Sequence, residues 1–281
     1  MFLLCGSLTQ MEWDLSSSQS IYIKAQWLSS EEMQAIFQRL DSCGIQARFV
    51  GGCVRDALLQ REKADGMDID IAVRSTPDAL LRCFENSDIK TIPIGIQFGS
   101  IRILKKNVSV DVTCLRKDIQ SDGRHPVVIY TSDWHEDAIR RDFTMNALYA
   151  DLSGRVFDPC GEGIADALAR HVRFIGCADE RIREDYLRIL RFFRFSAWFG
   201  EGRIDEEGVK SCMALSSGIA SLSAERVGSE VQRMLSAPNP VPAFKAMLSA
   251  GVLTFFFVKM LPWYWKNLWN LRRKPSRIPL G

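Results

Sequence analysis

Histidine is scarce in this chain, three in 281 residues, and its eight cysteines (5, 43, 53, 83, 114, 160, 177 and 212) never form a Cys-x-x-Cys pair. Structural zinc is therefore not expected, and scattered thiols fit a reduced compartment better than a disulfide framework. An excess of one charge is lacking too: 36 basic residues against 34 acidic leave a net charge of +2. Binding of nucleic acid, if any, must come from local patches rather than from the field of the whole molecule. The amino terminus, Met1-Phe-Leu-Leu-Cys-Gly, has neither a basic n-region nor a long apolar core, which argues against a signal peptide. Repeats at solenoid spacing are also missing.

What is there is a concentration of local chemistry, in a chain long enough for one large or two small domains. Residues 47–50 read as a short strand, Gly51-Gly52 follow directly, and a helix opens at about Val54 with Ala57, Leu58 and Leu59 on its apolar side. A Gly-Gly turn between strand and helix lets backbone N–H groups approach an anion closely. Then Asp68-Ile69-Asp70-Ile71-Ala72-Val73 alternates as a strand. Residues i and i+2 share a face, so both carboxylates project side by side. Such a pair repels itself unless a cation sits between, and hard oxygens at that spacing suit Mg²⁺. A solvated edge strand and an ordinary turn would account for each piece alone. Together they point to phosphoryl or nucleotidyl transfer. An EF-hand around Asp65 is excluded, because loop spacing, internal Gly and terminal Glu do not match.

Elsewhere, a helix is expected after Ser29-Ser30-Glu31-Glu32, ending at Gly44, and another from Thr76-Pro77 to about Phe84. Residues 89–96 read as extended, 98–104 and 108–115 as a β-hairpin, and 117–133 as a mobile loop. A hairpin turning at Ser153-Gly154 and a short strand over 171–175 follow. Asp111 lies among β-branched residues of the earlier hairpin's second strand. It could bind metal, accept the proton of an attacking hydroxyl, or simply face a basic residue across the surface. After Asp179 everything reads helical. Residues 180–199 are expected as one basic amphipathic helix, with further helices over 205–215, 224–235 and 243–253.

Several stretches, taken in order, resemble one family. Gly51-Gly52-x-Val54-Arg55-Asp56 with Asp68-x-Asp70, Arg140-Arg141-Asp142-Phe143-Thr144-x-Asn146-Ala147, and Glu184-Asp185-x-x-Arg188 are similar to the signature of bacterial-type (class II) tRNA nucleotidyltransferases and poly(A) polymerases. These belong to the DNA polymerase β-like superfamily. The resemblance covers roughly residues 45–253 and implies an α+β fold. A polymerase β-like head, a mixed or antiparallel sheet with flanking helices, would occupy 29–177 after a poorly structured leader over 1–28. An all-α neck and body would follow over 178–253. The implied activity is template-independent addition of CMP and AMP to the 3′ end of tRNA from CTP and ATP. Asp68 and Asp70 would bind two Mg²⁺ ions and, with Asp111 as third carboxylate, form the catalytic set. Gly51, Gly52 and Arg55 would cradle the triphosphate, while Arg141 and Asn146 secure phosphate and ribose. Asp185 and Arg188 would read the base, and Asp142, Arg191 and Arg194 complete the nucleotide-binding set.

The base-reading pair has a chemical logic. Three residues apart on one helix, Asp185 and Arg188 would point the same way. Cytosine and adenine each set an amino donor beside a ring-nitrogen acceptor, which an Asp and an Arg satisfy together. Guanine and uracil reverse the order, and each good side-chain–base pair discriminates by roughly 1–3 kcal/mol. Residues 222–230 resemble the family's neck motif and read as structural. Beyond Leu253 the pattern fails, and 254–281 form an atypical aromatic and basic segment whose lysines and proline argue against a membrane span. No His-Asp phosphohydrolase motif is present, so no accessory phosphatase activity is expected. The expected setting is cytoplasmic, with tRNA, CTP and ATP as partners and neither membrane nor protein partner. A poly(A) polymerase or a partial CCA-adding enzyme is the alternative within this chemistry. An inactive RNA-binding remnant is the alternative outside it.

Overall fold

The computed structural model describes residues 20–61, 68–120 and 127–255. The expectations for 1–19, for the tip of the 117–133 loop and for the aromatic segment from 256 onward lie outside the described residues. Helix α1 (Glu31–Ser42) starts where the Ser30 hydroxyl accepts the Met33 N–H, and Met33, Ile36, Phe37 and Leu40 are its buried stripe. It ends before Gly44, which takes φ +71°. Strand β1 (Ala47–Val50), helix α2 (Gly52–Leu58), strand β2 (Ile69–Val73) and helix α3 (Pro77–Phe84) follow, α3 capped by Thr76 with Pro77 in its first turn. Strands β3 (Lys90–Gly95), β4 (Ser100–Lys105) and β5 (Val108–Cys114) form a meander, and β8 (Tyr149–Ala150) and β9 (Val156–Phe157) a short hairpin. Between them lie β6 (Arg116–Gln120), β7 (Val127–Tyr130) and helix α4 (Trp134–Ile139).

The main sheet has the order β3-β4-β5-β2-β1-β8-β9, antiparallel except for the β2–β5 pair. Period-two alternation divides it cleanly. Ile69, Ile71 and Val73 share a buried face with Ile101, Ile103, Val110 and Val112, in one core with residues of α1 and α3. The opposite face carries Asp70, Asp111 and Arg102 in cross-strand register. Helix α5 (Gly163–Leu168) closes this head. The rest is helical: α6 (Ala178–Glu184), α7 (Leu187–Phe199), α8 (Glu206–Ala214), α9 (Ala224–Leu235) and α10 (Val241–Ser249). Phe143 and Phe174 of the head meet Phe192 and Phe195 of α7, with ring centroids 5.2–6.3 Å apart.

Five expectations need correction. Residues 20–28 are not a loose leader: Ile23 and Leu28 are buried, and the Ile23 N–H donates to the Gly154 carbonyl at 2.8 Å. Of the 117–133 stretch, the described residues on either side of its tip pair as strands, β6 with β7, because Val127-Val128-Ile129 supply a β-forming run. Residues 171–175 make only an isolated bridge, Phe174 to Phe143, since no second pairing partner reaches them. The single helix over 180–199 is two, broken where Asp185 turns extended (φ −155°, ψ 106°). Finally, Cys43 and Cys83 are joined in a disulfide, as α1 and α3 bring their ends to a Cα–Cα distance of 5.9 Å. Their 40-residue separation left no signature in the sequence.

Candidate active site

Asp68 immediately precedes β2 and Asp70 lies within it; both are exposed while Ile69 between them is buried, so they share one face. Asp70 borders two clefts. One, of about 360 Å³, is lined by Asp68, Ile69, Asp70, Arg102, Ser109 and Asp111. The other, of about 430 Å³, is lined by Gly51, Gly52, Arg55, Asp70, Arg140, Arg141, Asp142, Asn146, Asp185, Arg188, Arg191, Arg194 and Phe195. The expected nucleotide-binding residues therefore converge, and the acidic row adjoins them. Desolvation by the surrounding protein pushes the Asp70 carboxyl up to about 6; Arg141 opposes this, and the neighbouring Asp111 and Asp68 reinforce it. Asp111 lies in register with Asp70 across the β2–β5 pair, and it faces a basic residue, Arg102, on β4.

Among the described residues no three His, Cys, Asp or Glu side chains converge tightly enough to cage an ion by themselves. What the row offers is a set of hard carboxylate oxygens in an open cleft. That donor chemistry fits Mg²⁺, which keeps several waters and fills its shell with substrate phosphate.

The anion seat is built from backbone and one arginine. Gly51 adopts φ +76°, and a Cβ there would lie 3.6 Å from Arg141 Nη1 and from the Asn146 carbonyl. Glycine keeps that approach open. Beneath it, the buried Asp137 on α4 accepts from Arg140 (2.6 and 2.9 Å), from Arg141 Nη2 (3.0 Å) and from the Tyr149 hydroxyl (2.7 Å). Burial alone would push Asp137 up, but Arg141 and Arg140, aided by Tyr149, hold it well below the usual carboxylate range. The same contacts keep Arg141 firmly charged despite its burial. Its buried Nε has no hydrogen-bond partner among the described residues.

Five expected ligands, Arg55, Asp142, Asn146, Arg191 and Arg194, are committed to one another or to neighbours. Arg55 is buried, its guanidinium bonded to Asp56 (2.7 and 2.9 Å) and to Asn146 Oδ1, and it stacks 4.0 Å over the Phe199 ring. Asn146 in turn donates to Asp142 at 3.1 Å, and Asp142 accepts from Arg191 Nε at 2.7 Å. Arg194 is paired with the buried Glu230 at 2.6 Å. This chain of bonds is the floor of the cleft rather than a free set of donors.

Nor do Asp185 and Arg188 sit on one helical turn. Asp185 occupies the break, accepting the Leu187 N–H (3.1 Å) with Oδ1 and Arg226 Nη2 (2.7 Å) with Oδ2. Arg188, in the first turn of α7, donates to the Arg181 and Arg140 carbonyls (both 3.0 Å) and to Glu184. Three of its five N–H donors are thus spent and two remain. Both side chains still line the nucleotide-sized cleft. Sequence reasoning named neither Asp137 nor Arg226 as a site residue. The first had a signal, since Asp137 lies three and four residues before Arg140 and Arg141 near the end of α4. The second had none, because its partner is 41 residues away.

Comparison with known proteins bears on the family and the fold. Residues 47–173 match the model of the Poly A polymerase head domain, and 203–263 that of a probable RNA and SrmB-binding site of polymerase A. A CCA-adding enzyme of Streptococcus sanguinis is 36% identical over 239 residues, covering 83% of this chain and 57% of that protein. The mitochondrial CCA tRNA nucleotidyltransferase 1 of Danio rerio is 37% identical over 193 residues, 68% of this chain and 44% of that one. The chain thus spans about half the length of the curated relatives it matches. Among solved structures, the Bacillus stearothermophilus CCA-adding enzyme in complex with CTP superposes with a TM-score of 0.70 at 32% identity, over 79% of this chain and 52% of the other. The Thermotoga maritima CCA-adding enzyme complexed with tRNA shares the fold, with a TM-score of 0.65 at 23% identity.

Proposed function

This chain carries the head and RNA-binding domains of the nucleotidyltransferase family of class II CCA-adding enzymes and poly(A) polymerases, and from that premise we propose that it adds CMP and AMP to the 3′ end of tRNA. The observation that carries this reading is the position of Asp70, shared by an acidic row and a cleft lined by Gly51, Arg141, Asp185 and Arg188. We take 29–177 as the catalytic head and 178–253 as the helical part that reads the base.

The reaction joins the RNA 3′-hydroxyl oxygen to the α-phosphorus of CTP or ATP and breaks the bond to pyrophosphate, which leaves. Asp68 and Asp70 would hold the two Mg²⁺ ions, which when bound supply charge neutralisation on the phosphates and acidify the hydroxyl. Everything else is done by the chain. Gly51 lets the phosphates approach the backbone, and Arg141, held charged by Asp137, binds them. Asp185 has acceptor capacity left for an exocyclic amine, and Arg188 has donors left for a ring nitrogen, which selects cytosine and adenine. Asp142 and Asn146, tied to Arg191 and Arg55, hold that floor rigid.

Purified protein, Mg²⁺ and labelled CTP or ATP, with a tRNA ending at its discriminator base, test the proposal. Three added nucleotides in the order C, C, A support it, and no incorporation sinks it. A long tail of A would favour the second reading, a poly(A) polymerase, which the match to that enzyme's head domain keeps in view. An inactive RNA-binding remnant would bind RNA yet show no Mg²⁺-dependent nucleotide binding by calorimetry. Cytoplasmic residence belongs to the same proposal, and cell fractionation decides it, since one of the relatives named above is mitochondrial.

A further inference from the structure

Arg102 stands where an RNA end has to enter. Strands β2, β5 and β4 set Asp70, Asp111 and Arg102 in one row, and the next member, Ile92 on β3, is 44% exposed. On the nucleotidyl-transfer reading, on which this inference rests, the cleft of Gly51 and Arg141 takes the nucleotide. The cleft beyond Asp70 is then left for the strand being extended. Among the described residues lining that second cleft Arg102 is the one cation. Its Nε and Nη2 donate to the two oxygens of Asp111 at 2.6 and 2.9 Å, so one lone pair of each oxygen is engaged and one is left. A carboxylate tied in this way has its charge already balanced by a guanidinium, which weakens its pull on a metal ion or a proton.

The tie is easily exchanged. The arginine side chain is 45% exposed and Asp111 30%, and ion pairs open to solvent are held weakly. A guanidinium fork fits phosphate oxygens as well as it fits a carboxylate. We propose that Arg102 is an RNA-responsive latch: it ties up Asp111 while the cleft holds no RNA, and moves to the phosphodiester nearest the RNA 3′ end when RNA enters. Asp111 is then released as the terminal hydroxyl arrives. Readiness of the acidic row becomes conditional on RNA, which disfavours attack by water on a bound nucleotide. Ile92, next in the row, gives the incoming ribose or base an apolar surface.

Arg102→Gln and Arg102→Lys in the full chain test this, by three measurements against the unaltered protein. Calorimetry with Mg²⁺ alone should show Arg102→Gln binding the ion about fivefold more tightly, because Asp111 is released from its cation. Fluorescence anisotropy with a tRNA lacking its 3′ CCA should show about tenfold weaker binding and a salt dependence reduced by about one ion. Affinity for CTP should not change. Arg102→Lys, which keeps the charge, should recover RNA affinity in part. A residue of purely structural value would lose stability on substitution and would not gain affinity for Mg²⁺. The latch is overturned if Arg102→Gln binds Mg²⁺ no more tightly or RNA no more weakly than the unaltered protein. Should Arg102→Gln melt early, Arg102→Ala decides on the same two affinities: both shifted in the expected directions support the latch, and either unshifted refutes it. CMP transfer by the unaltered protein is measured in parallel. No transfer with both affinity shifts intact removes the nucleotidyl-transfer reading alone, and transfer without the shifts removes the latch alone.

Discussion

Asp70 is a carboxylate that the fold holds against its own preference. Its raised pKa means that ionisation is harder in the folded chain than in the unfolded one, so the charged group subtracts from stability at neutral pH and the loss is relieved as pH falls through about 6. Asp70→Asn should therefore raise the melting temperature of the metal-free protein at pH 7 while abolishing both nucleotide transfer and the stabilisation by Mg²⁺. Calorimetric scans with and without Mg²⁺ check this, and a lower melting temperature would refute it. Asp137 runs the opposite way. Its pKa is depressed by Arg141 and Arg140, so its contribution is present above the ordinary carboxylate range and is lost as pH falls below about 4. Removing its charge leaves two arginines against a buried neutral group. Asp137→Asn should cost about 3–5 kcal/mol in urea unfolding at pH 7, with less further loss between pH 4 and pH 2 than in the unaltered protein.

At the scale of elements, the break between α6 and α7 positions Asp185 and Arg188, the pair proposed to read the base. Tyr186 follows Asp185 and packs on Gly218 in the 3-10 turn Ser216–Ser221, where an added Cβ would lie 2.0–2.4 Å from the Tyr186 ring. Gly218→Ala must displace that ring and the neighbouring carboxylate with it. Preference for CTP and ATP over UTP and GTP should then fall about tenfold, the worth of one base contact, while Mg²⁺ affinity at the acidic row is unchanged. Single-turnover rates with each nucleotide provide the measurement, and an intact preference would count against the assignment. The same break shows where sequence reading stops. Gly51-Gly52 and Asp68-x-Asp70 were legible because each is a local pattern with a local consequence. The apolar spacing of Ile182, Tyr186, Ile189 and Phe193 runs on through 185, so one helix was the natural inference. At the break Asp185 is paired with Arg226, held on another helix and out of view until the chain is folded. Cys43–Cys83 and the burial of Arg55 under Phe199 were hidden for the same reason.

For the whole molecule, the question is whether head and helical region unfold separately. The nucleotide cleft lies across their junction, and the junction is neither small nor purely polar. Phe143 and Phe174 pack on Phe192 and Phe195, Arg61 reaches the Trp198 carbonyl at 2.6 Å, His171 meets Asp205 at 2.9 Å, and the buried Asp142 is paired with Arg191. Opening the junction would expose the packed Phe rings to water, at about 1.5–3 kcal/mol for each fully buried side chain. That exceeds the loss expected from an exposed hinge, so far-UV and near-UV circular dichroism should follow one common urea transition. A ligand at 100 times its Kd should shift the whole transition by about 2.7 kcal/mol, because both halves contribute to its site. Arg191→Leu removes the cation while leaving the aromatic contacts. It should lower overall stability by about 3 kcal/mol or more and weaken nucleotide binding through Asp142 and Asn146, with one transition retained. Two separated transitions in the unaltered protein would show that the Phe cluster and the Asp142–Arg191 pair do not couple the regions. The base-reading residues would then dock only when nucleotide is bound.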